Sequence, residues 1–416
     1  MANTFTSTFE KYLSRTLQLN AKPRQVWNQV AGAVDDKSIL SMGQQFSKSY
    51  KSRVPVQPYT RGSNLTDATL TTTDEVLTIN EQPAFSFPID DLDAFQSSVD
   101  LQNEYLKDSE VDLSNYIDGA FTYENAINAS NTVDDGDFAG TSGNGIAITG
   151  DNVFEALSIA KRKLARRACD LTNLYMVASP EFCQVIEEQV GARETDFGDQ
   201  ITRMGVKYAG GRTFEYNGMS IYENLNTTST VELSLATNPT NTDTVVFVIN
   251  NVFEDTAVTL TFTFVSSIGS TAGNVLIAGT VDGTRANMAT LMNDPGTTTA
   301  NGVAFTGTSL WVAQKMVATN DDSGNTLTVR LKGGRFDSVS ETLTDATDGF
   351  DSTKQVDNLI VAERGACNIV MQKYPYVEIE GIQSQFGKRV KGNALFGVKQ
   401  FTENAKKSVR MDVIYT

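Results

Sequence analysis

The chain has 416 residues, a length that makes two or three folded units and several buried cores affordable without metals or disulfides. Lys and Arg total 34 against 50 Asp and Glu, a net charge of −16, so the chain as a whole is not a duplex-DNA binder that works by neutralising phosphates. It contains no histidine, which removes Ser-His-Asp and Cys-His catalysis, His-ligated zinc and the usual near-neutral proton shuttle.

Charge is unevenly placed along the chain. Residues 1–62 hold nine Lys or Arg against three acids, a balance of +6 that leaves −22 for the other 354 residues. A capping box, Ser7-x-x-Glu10, precedes helically spaced Phe9, Leu13 and Leu17, and a second helix starts at Pro23 and carries Val26, Trp27 and Val30. Neither is apolar enough to stand alone, so residues 1–45 read as an arm that packs on something else. The start, MANTFTSTFEKYLSR, has the marks of no secretory signal.

Residues 46–90 switch to an alternating period, with Phe85, Phe87 and Ile89 on one side. Pro55, Pro58, Pro83 and Pro88 confine these strands to an edge. Around the polar tip TRGSNLTDATLTTTD they form a long two-stranded excursion, marginal in water unless it rests on a neighbour. A long amphipathic helix follows over roughly 91–118, with Leu92, Phe95, Val99, Leu106, Leu113, Tyr116 and Ile117 on one face and nine acids against the single Lys107 over 90–118. Asp90, Asp91 and Asp93 suit its positive end. After a Gly- and Asp-rich connection, Asp151 is placed to cap a helix whose stripe is Val153, Leu157, Leu164 and Ala168, with Lys161, Arg162, Lys163, Arg166 and Arg167 crowding its second half. LYMVA at 174–178 is a strand, and Ser179-Pro180 opens the next helix; together these complete a unit over 91–190, and 191–225 forms a further part.

Composition then changes. Of the 128 residues in 226–353, 27 are Thr, which favours strands, and TVVFVIN, AVTLTFTFV and TLTVRL read as such. DDSGN is a hairpin turn, and TRANMATLMND is a helix with Thr284 as its cap. This block is expected as a separate, inserted β-rich domain. The stretch 354–416 returns to mixed character and closes on VRMDVIYT, where Val409, Met411, Val413 and Tyr415 face one way and Arg410, Asp412 and Ile414 the other. A patterned strand at a terminus is expected to be paired.

Chemical motifs are sparse. Cys169, Cys183 and Cys367 are far apart without a CxxC pair and read as buried reduced thiols of a soluble protein made in a reducing compartment. The longest purely apolar run, Val245–Ile249, is far short of the ~20 residues of a membrane helix. Gly210-Gly211 and Gly333-Gly334 lack phosphate-loop spacing and read as turns. Asp134, Asp135 and Asp137 lack the alternation and distal Glu of a calcium loop. Glu104, Asp108 and Asp112 follow one another at i,i+4 and so share a helix face, which reads as a solvated or intersubunit surface and not as a pair of catalytic carboxylates. Lys388, Arg389 and Lys391 read as a small positive loop. No cofactor and no catalytic residue are expected.

The order of segments carries more information than any site. LTINEQPAFSFPIDDLDAFQSSVDL at 77–101, LYMVASPEFCQVIEE at 174–188, MGVKYAGGRTFEYNGMSIYENLN at 204–226, RGACNIVMQ and VKGNALFGVKQF resemble the major capsid proteins of tailed double-stranded-DNA phages. The resemblance covers everything outside 226–353. It implies the α+β Hong Kong 97-like capsid fold: N-arm, extended loop, long spine helix, peripheral and axial domains. It further implies a subunit that assembles with many copies of itself, in hexamers and pentamers, into an icosahedral shell around packaged double-stranded DNA. Scaffolding protein, portal and a decoration protein are the partners it implies, and virion, after synthesis in the host cytoplasm, is the implied location; no membrane is involved. Some members crosslink subunits through a Lys of the extended loop, but Val54 to Pro88 contains none. Interface candidates are Trp27 in the arm, the loop tip Arg61 to Asp67, and the acidic face Glu104, Asp108 and Asp112. A nanocompartment shell of the same fold, a β-rich tail or adhesin component, and an enzyme are the competing readings.

Overall fold

A computed structural model describes residues 26–33, 45–62, 64, 66–90, 101–194, 206–208, 213–250, 257–345, 347–382 and 386–415. The capping box at Ser7, the segment 91–100 and the pair Gly210-Gly211 lie outside the described residues. The chain starts with a short helix α1 (Trp27–Val30) and strand β1 (Gly32–Ala33), then forms an antiparallel hairpin of β2 (Gln45–Lys51) and β3 (Thr72–Thr78), followed by β4 (Ala84–Asp90). The long helix α2 (Leu101–Ile127) leads to short strands β5 (Asn131–Val133) and β6 (Ile146–Ile148). Helix α3 (Val153–Arg166), strand β7 (Leu174–Ala178), helix α4 (Pro180–Glu194) and strands β8 (Val206–Tyr208), β9 (Thr213–Tyr216) and β10 (Met219–Glu223) follow.

The Thr-rich block contributes β11 (Thr228–Ser234), β12 (Thr244–Asn250), β13 (Val258–Val265) and β14 (Asn274–Leu276), helices α5 (Val281–Asn293) and α6 (Gly307–Ala313), and β15 (Met316–Asp321), β16 (Thr326–Leu331), β17 (Arg335–Glu341) and β18 (Gly349–Phe350). The chain ends with β19 (Val356–Glu363), the long ribbon β20 (Asn368–Gly381) and β21 (Gly387–Lys399), helix α7 (Thr402–Ala405) and β22 (Ser408–Tyr415).

The largest sheet is mixed. β19 lies at its centre, with β22 along one edge and β7 and β11 sharing the other. Alternation along LYMVA sends Leu174, Met176 and Ala178 to one face, where α3 and α4 pack, and Tyr175 and Val177 to the other, where Phe121 and Ala126 of α2 and Val26 of the arm pack. All five residues of this strand are buried, as expected for a strand covered on both faces. The terminal strand is paired on both sides, antiparallel to β19 and parallel to β5 and β6. Val409, Met411, Val413 and Tyr415 join the α3–α4 core as their alternation predicts.

The Thr-rich block has an apolar core of its own under the four-stranded sheet β14-β13-β12-β17. Phe247 meets Phe262, Phe336 and Phe350 there at centroid distances of 5.8, 5.6 and 5.5 Å. Yet β11, β16 and β15 are strands of the large sheet, so the block is continuous with the rest through main-chain pairing as well as carrying a separate core.

Several local expectations are corrected. Helix α2 runs to Ile127, nine residues past the predicted end, because Ala120, Phe121 and Ala126 continue its buried stripe and tertiary partners satisfy Thr122 and Asn125 between them. Asn152, not Asp151, is the N-cap of α3, and its side chain bonds Thr149 N and Ala147 O. Ala168 is not on the buried stripe: α3 ends at Arg166, and Ala168 is exposed in the left-handed region at φ 57°. Thr280, not Thr284, caps α5, accepting from Gly283 N; Thr284 is buried, its hydroxyl bonded to Asn238 Oδ1. Lys388, Arg389 and Lys391 are in β21, not in a loop. Pro88 stands in β4, the edge strand of the ribbon sheet β1-β20-β21-β4, where its missing N–H costs no ladder bond.

Candidate subunit interface

The hairpin β2–β3 pairs Gln45 with Thr78 through Lys51 with Thr72 in one continuous register. Its root is seated: Leu77 and Ile79 are buried against Val370 and Phe401. Among the described residues of the connection from 52 to 71 there is no helix or strand. Val54, Val56, Tyr59 and Leu70 along it are exposed, Val56 by 99%. Arg61 and Asp67 are exposed at the same tip. The hairpin thus brings both tip candidates together on a projection whose apolar side chains its own chain leaves uncovered.

Trp27 sits elsewhere. It is half-buried between the apolar side chains of α2 and the ribbon, and its Nε1 reaches Ser114 Oγ at 3.5 Å. Glu104, Asp108 and Asp112 all lie on α2, and Asp112 is exposed. Asp112 also faces Lys315 of the Thr-rich block: burial pulls that ammonium down to about 8, and the Asp112 charge partly restores it. Among the described side chains of α2 the first buried one is Leu113, and Lys107, Glu110 and Asp112 before it are exposed.

The second half of α2 carries a polar row that the sequence reading missed. Asn115, Asp118, Thr122 and Asn125 recur every three or four residues and are all buried. Asp118 accepts from the backbone N–H of Val26 and Trp27 at 3.0 and 2.9 Å, and from Asn224 and Asn226 Nδ2 at 2.6 and 3.3 Å. Burial pushes its carboxyl above the usual range while the four donors pull it back. Thr122 donates to Asn226 O at 2.6 Å, and Asn125 links Tyr175 OH to Gln400, which reaches Ser408 Oγ. One helix face therefore fastens the arm, the 224–226 turn and the terminal strand. The available signal was the spacing of Asp118, Thr122 and Asn125 inside an apolar stretch, where buried polar groups are as a rule bonded to something; the Asn115 side chain, buried in the same row, has no hydrogen-bond partner among the described residues.

A cavity of about 300 Å³ is lined by Ser229, Thr230, Arg335, Asp357, Ile414 and Tyr415, among others. Arg335 pairs with Glu181 at 2.6 Å and lies 3.8 Å from Asp357 Oδ2, which burial raises to about 7. Ser179 Oγ bonds the Tyr415 hydroxyl beside it. The charges are consumed in holding β17, β19, α4 and β22 together, and no nucleophile stands against an activating base. Among the described residues no cluster of three potential metal ligands occurs, and no helix is long and apolar enough to cross a membrane. Asp134 caps a short turn, accepting from Gly136 and Gly143 N–H, and Asp137 pairs with Lys163 at 2.5 Å. Cys183 and Cys367 are buried and Cys169 is half-buried, and none of the three is in a disulfide.

The chain thus combines a long helix across a mixed sheet with a hairpin that exposes apolar side chains and a long two-stranded ribbon. No family model matches the chain, and no curated protein matches it. Solved structures do. A chain from Mycobacterium phage Che8 superposes with a TM-score of 0.55 at 13% identity, covering 98% of this chain and 97% of the other. A chain of the cyanophage P-SCSP1u capsid gives 0.53 at 11% identity, over 98% and 94%. One from the mature capsid of bacteriophage PhiM1 gives 0.50 at 12% identity, over 97% and 91%. The chain has the α+β Hong Kong 97-like fold of phage capsid proteins over nearly its whole length, the Thr-rich block included.

Proposed function

We propose that the chain is a major capsid protein: a structural subunit that assembles into hexamers and pentamers of an icosahedral phage head around double-stranded DNA. The observation that carries this reading is the β2–β3 hairpin, rooted in the core but exposing Val54, Val56, Tyr59 and Leu70 at its far end. A two-stranded projection with apolar side chains costs free energy in an isolated molecule and is repaid when a second copy covers it. The fold shared with phage capsid chains supports the same role. The +6 balance of residues 1–62 set against −22 for the rest favours head-to-tail contacts between copies. Scaffolding protein, portal and packaged DNA are the partners this role brings, with a decoration protein as a further candidate, and the virion is the location, after synthesis in the host cytoplasm. The block at 226–353 is placed on the particle's outer face. Electron microscopy of the purified chain, alone and with the products of neighbouring genes, tests the reading: closed icosahedral shells support it, and trimers or fibres contradict it. Shells that enclose an enzyme and no nucleic acid would replace it with a nanocompartment.

A further inference from the structure

Helix α3 carries Lys161, Arg162, Lys163 and Arg166, with Arg167 as its C-cap, and the fold divides them by type. The two lysines are engaged within the chain. Lys161 Nζ donates to Asn217 O at 2.6 Å, and Lys163 Nζ meets Thr132 O and Asp137 Oδ2, each at 2.5 Å. Arg162, Arg166 and Arg167 are exposed, and none makes a side-chain hydrogen bond or ion pair with a described residue. The opposite side of α3 is buried, through Val153, Ala156, Leu157, Ala160 and Leu164, so the arginines are held on a rigid platform. Arginine is the cation that interfaces favour: its planar fork pairs two donors with a carboxylate and gives up its hydration more readily than an ammonium.

Their position selects the partner. Helix α3 covers one face of the large sheet and α2 the other. The acidic first half of α2, from Leu101 to Asp112, carries Glu104, Asp108, Glu110 and Asp112 against Lys107. At 1.5 Å per residue it is about 18 Å long. Within the chain Asp112 faces Lys315, whereas the exposed arginines lie on the helix that covers the other face of the sheet. A heterologous contact between copies, of the kind that closes into rings or runs on into shells, would bring the arginines against the remaining acids.

We propose that Arg162, Arg166 and Arg167 form a docking surface for the acidic first half of α2 in a neighbouring copy. The inference rests on the shell-subunit reading and deepens it by naming one of the contacts. Such a contact is screened by salt, so shells form more slowly and at higher protein concentration as ionic strength rises.

Three variants test it: Arg162→Glu with Arg166→Glu, Glu104→Lys with Asp108→Lys, and the chain carrying all four changes. The readout is the protein concentration at which shells appear by light scattering and electron microscopy, with thermal melts to show that each variant folds as the parent does. Each pair alone raises that concentration by about tenfold or more, because an attraction repeated in every contact becomes a repulsion. The four-fold variant restores complementarity and returns it towards the parental value. An arginine pair variant that assembles like the parent overturns the proposal, as does a four-fold variant no better than the pairs. Normal shells that have lost co-purifying DNA would also overturn it and make the arginines phosphate contacts. A parental chain that never assembles overturns the shell reading itself, and this contact falls with it.

Discussion

Removing the Asp118 carboxylate should detach the arm and weaken the whole chain. Its two oxygens are fully buried and accept four hydrogen bonds, two from the backbone of Val26 and Trp27 and two from Asn224 and Asn226. In Asp118→Ala the two side-chain amides can turn to new partners, but the two backbone donors cannot do so without unseating α1. A buried donor left without an acceptor costs about 1–3 kcal/mol, so the pair sets a loss of about 3–5 kcal/mol, once relief of the buried charge is counted against the lost amide bonds. That is a large part of the ~5–15 kcal/mol that holds a typical domain folded. Asp118→Asn keeps one acceptor oxygen and should lose about 1–3 kcal/mol. The assay is urea unfolding followed by circular dichroism and by the fluorescence of Trp27, with the second tryptophan, Trp311, replaced by Phe. The account predicts a lower midpoint and a Trp27 signal that moves ahead of the backbone signal. A loss under about 1 kcal/mol with coincident signals would refute it, because the carboxylate would then cost as much in desolvation as its donors return.

Asp357 gives stability a pH dependence. Its folded value of about 7 lies above the ~3.9 of an unfolded Asp, so between those values the folded chain binds the extra proton. Stability contributed by that proton is full below about pH 4 and is lost as pH rises through 7. Urea midpoints between pH 5 and 8 should therefore fall less in Asp357→Asn than in the parent, and equal slopes would count against the buried carboxyl. Gly333 stands at φ +71° with the position of an added Cβ only 3.0 Å from Gly119 Cα of α2. Gly333→Ala should cost about 2 kcal/mol by combining backbone strain with a clash between two backbones, and an unchanged melting temperature would deny the close approach. Val56→Asp with Tyr59→Ser should leave the monomer's melt within about 0.5 kcal/mol of the parent, as surface changes do, while abolishing assembly; normal shells would remove the hairpin tip from the interface.

Where one period governed both local structure and packing, the sequence was easy to read. TVVFVIN and TLTVRL emerge as strands with those bounds because alternation and burial agree along each, and LYMVA does so as a short apolar run buried on both faces. The hairpin was legible from its prolines and its change of period, but it consists of β2 and β3 alone, and Phe85, Phe87 and Ile89 belong to β4, which pairs with β21; the terminal strand was legible from its uninterrupted alternation. Cap residues were harder: Asp151 and Asn152 are both good caps, and only the turn geometry before α3 selects the second. The end of α2 was missed because Asp118, Thr122 and Asn125 look like surface residues until Asn224, Asn226 and Tyr175 arrive from positions 50 to 108 residues away. The continuity of the Thr-rich block with the large sheet was hidden for the same reason. β11 and β19 pair across more than 120 residues, and nothing local to either strand records the partner.

The interface candidates divide on the same line. Arg61 and Asp67 stay candidates, exposed at the tip of a ribbon that needs a support. Trp27 was marked as an arm residue seeking a partner, and the structure places a partner for it within the same chain, at Ser114 and the apolar face of α2.

The central claim is that this chain closes into a shell, and imaging the purified protein at high concentration by electron microscopy tests it most directly. The account predicts closed icosahedral particles built of five- and six-membered rings, with the β2–β3 hairpin of each copy lying on its neighbour. Stable monomers under every condition, with the hairpin solvent-exposed throughout, would contradict it.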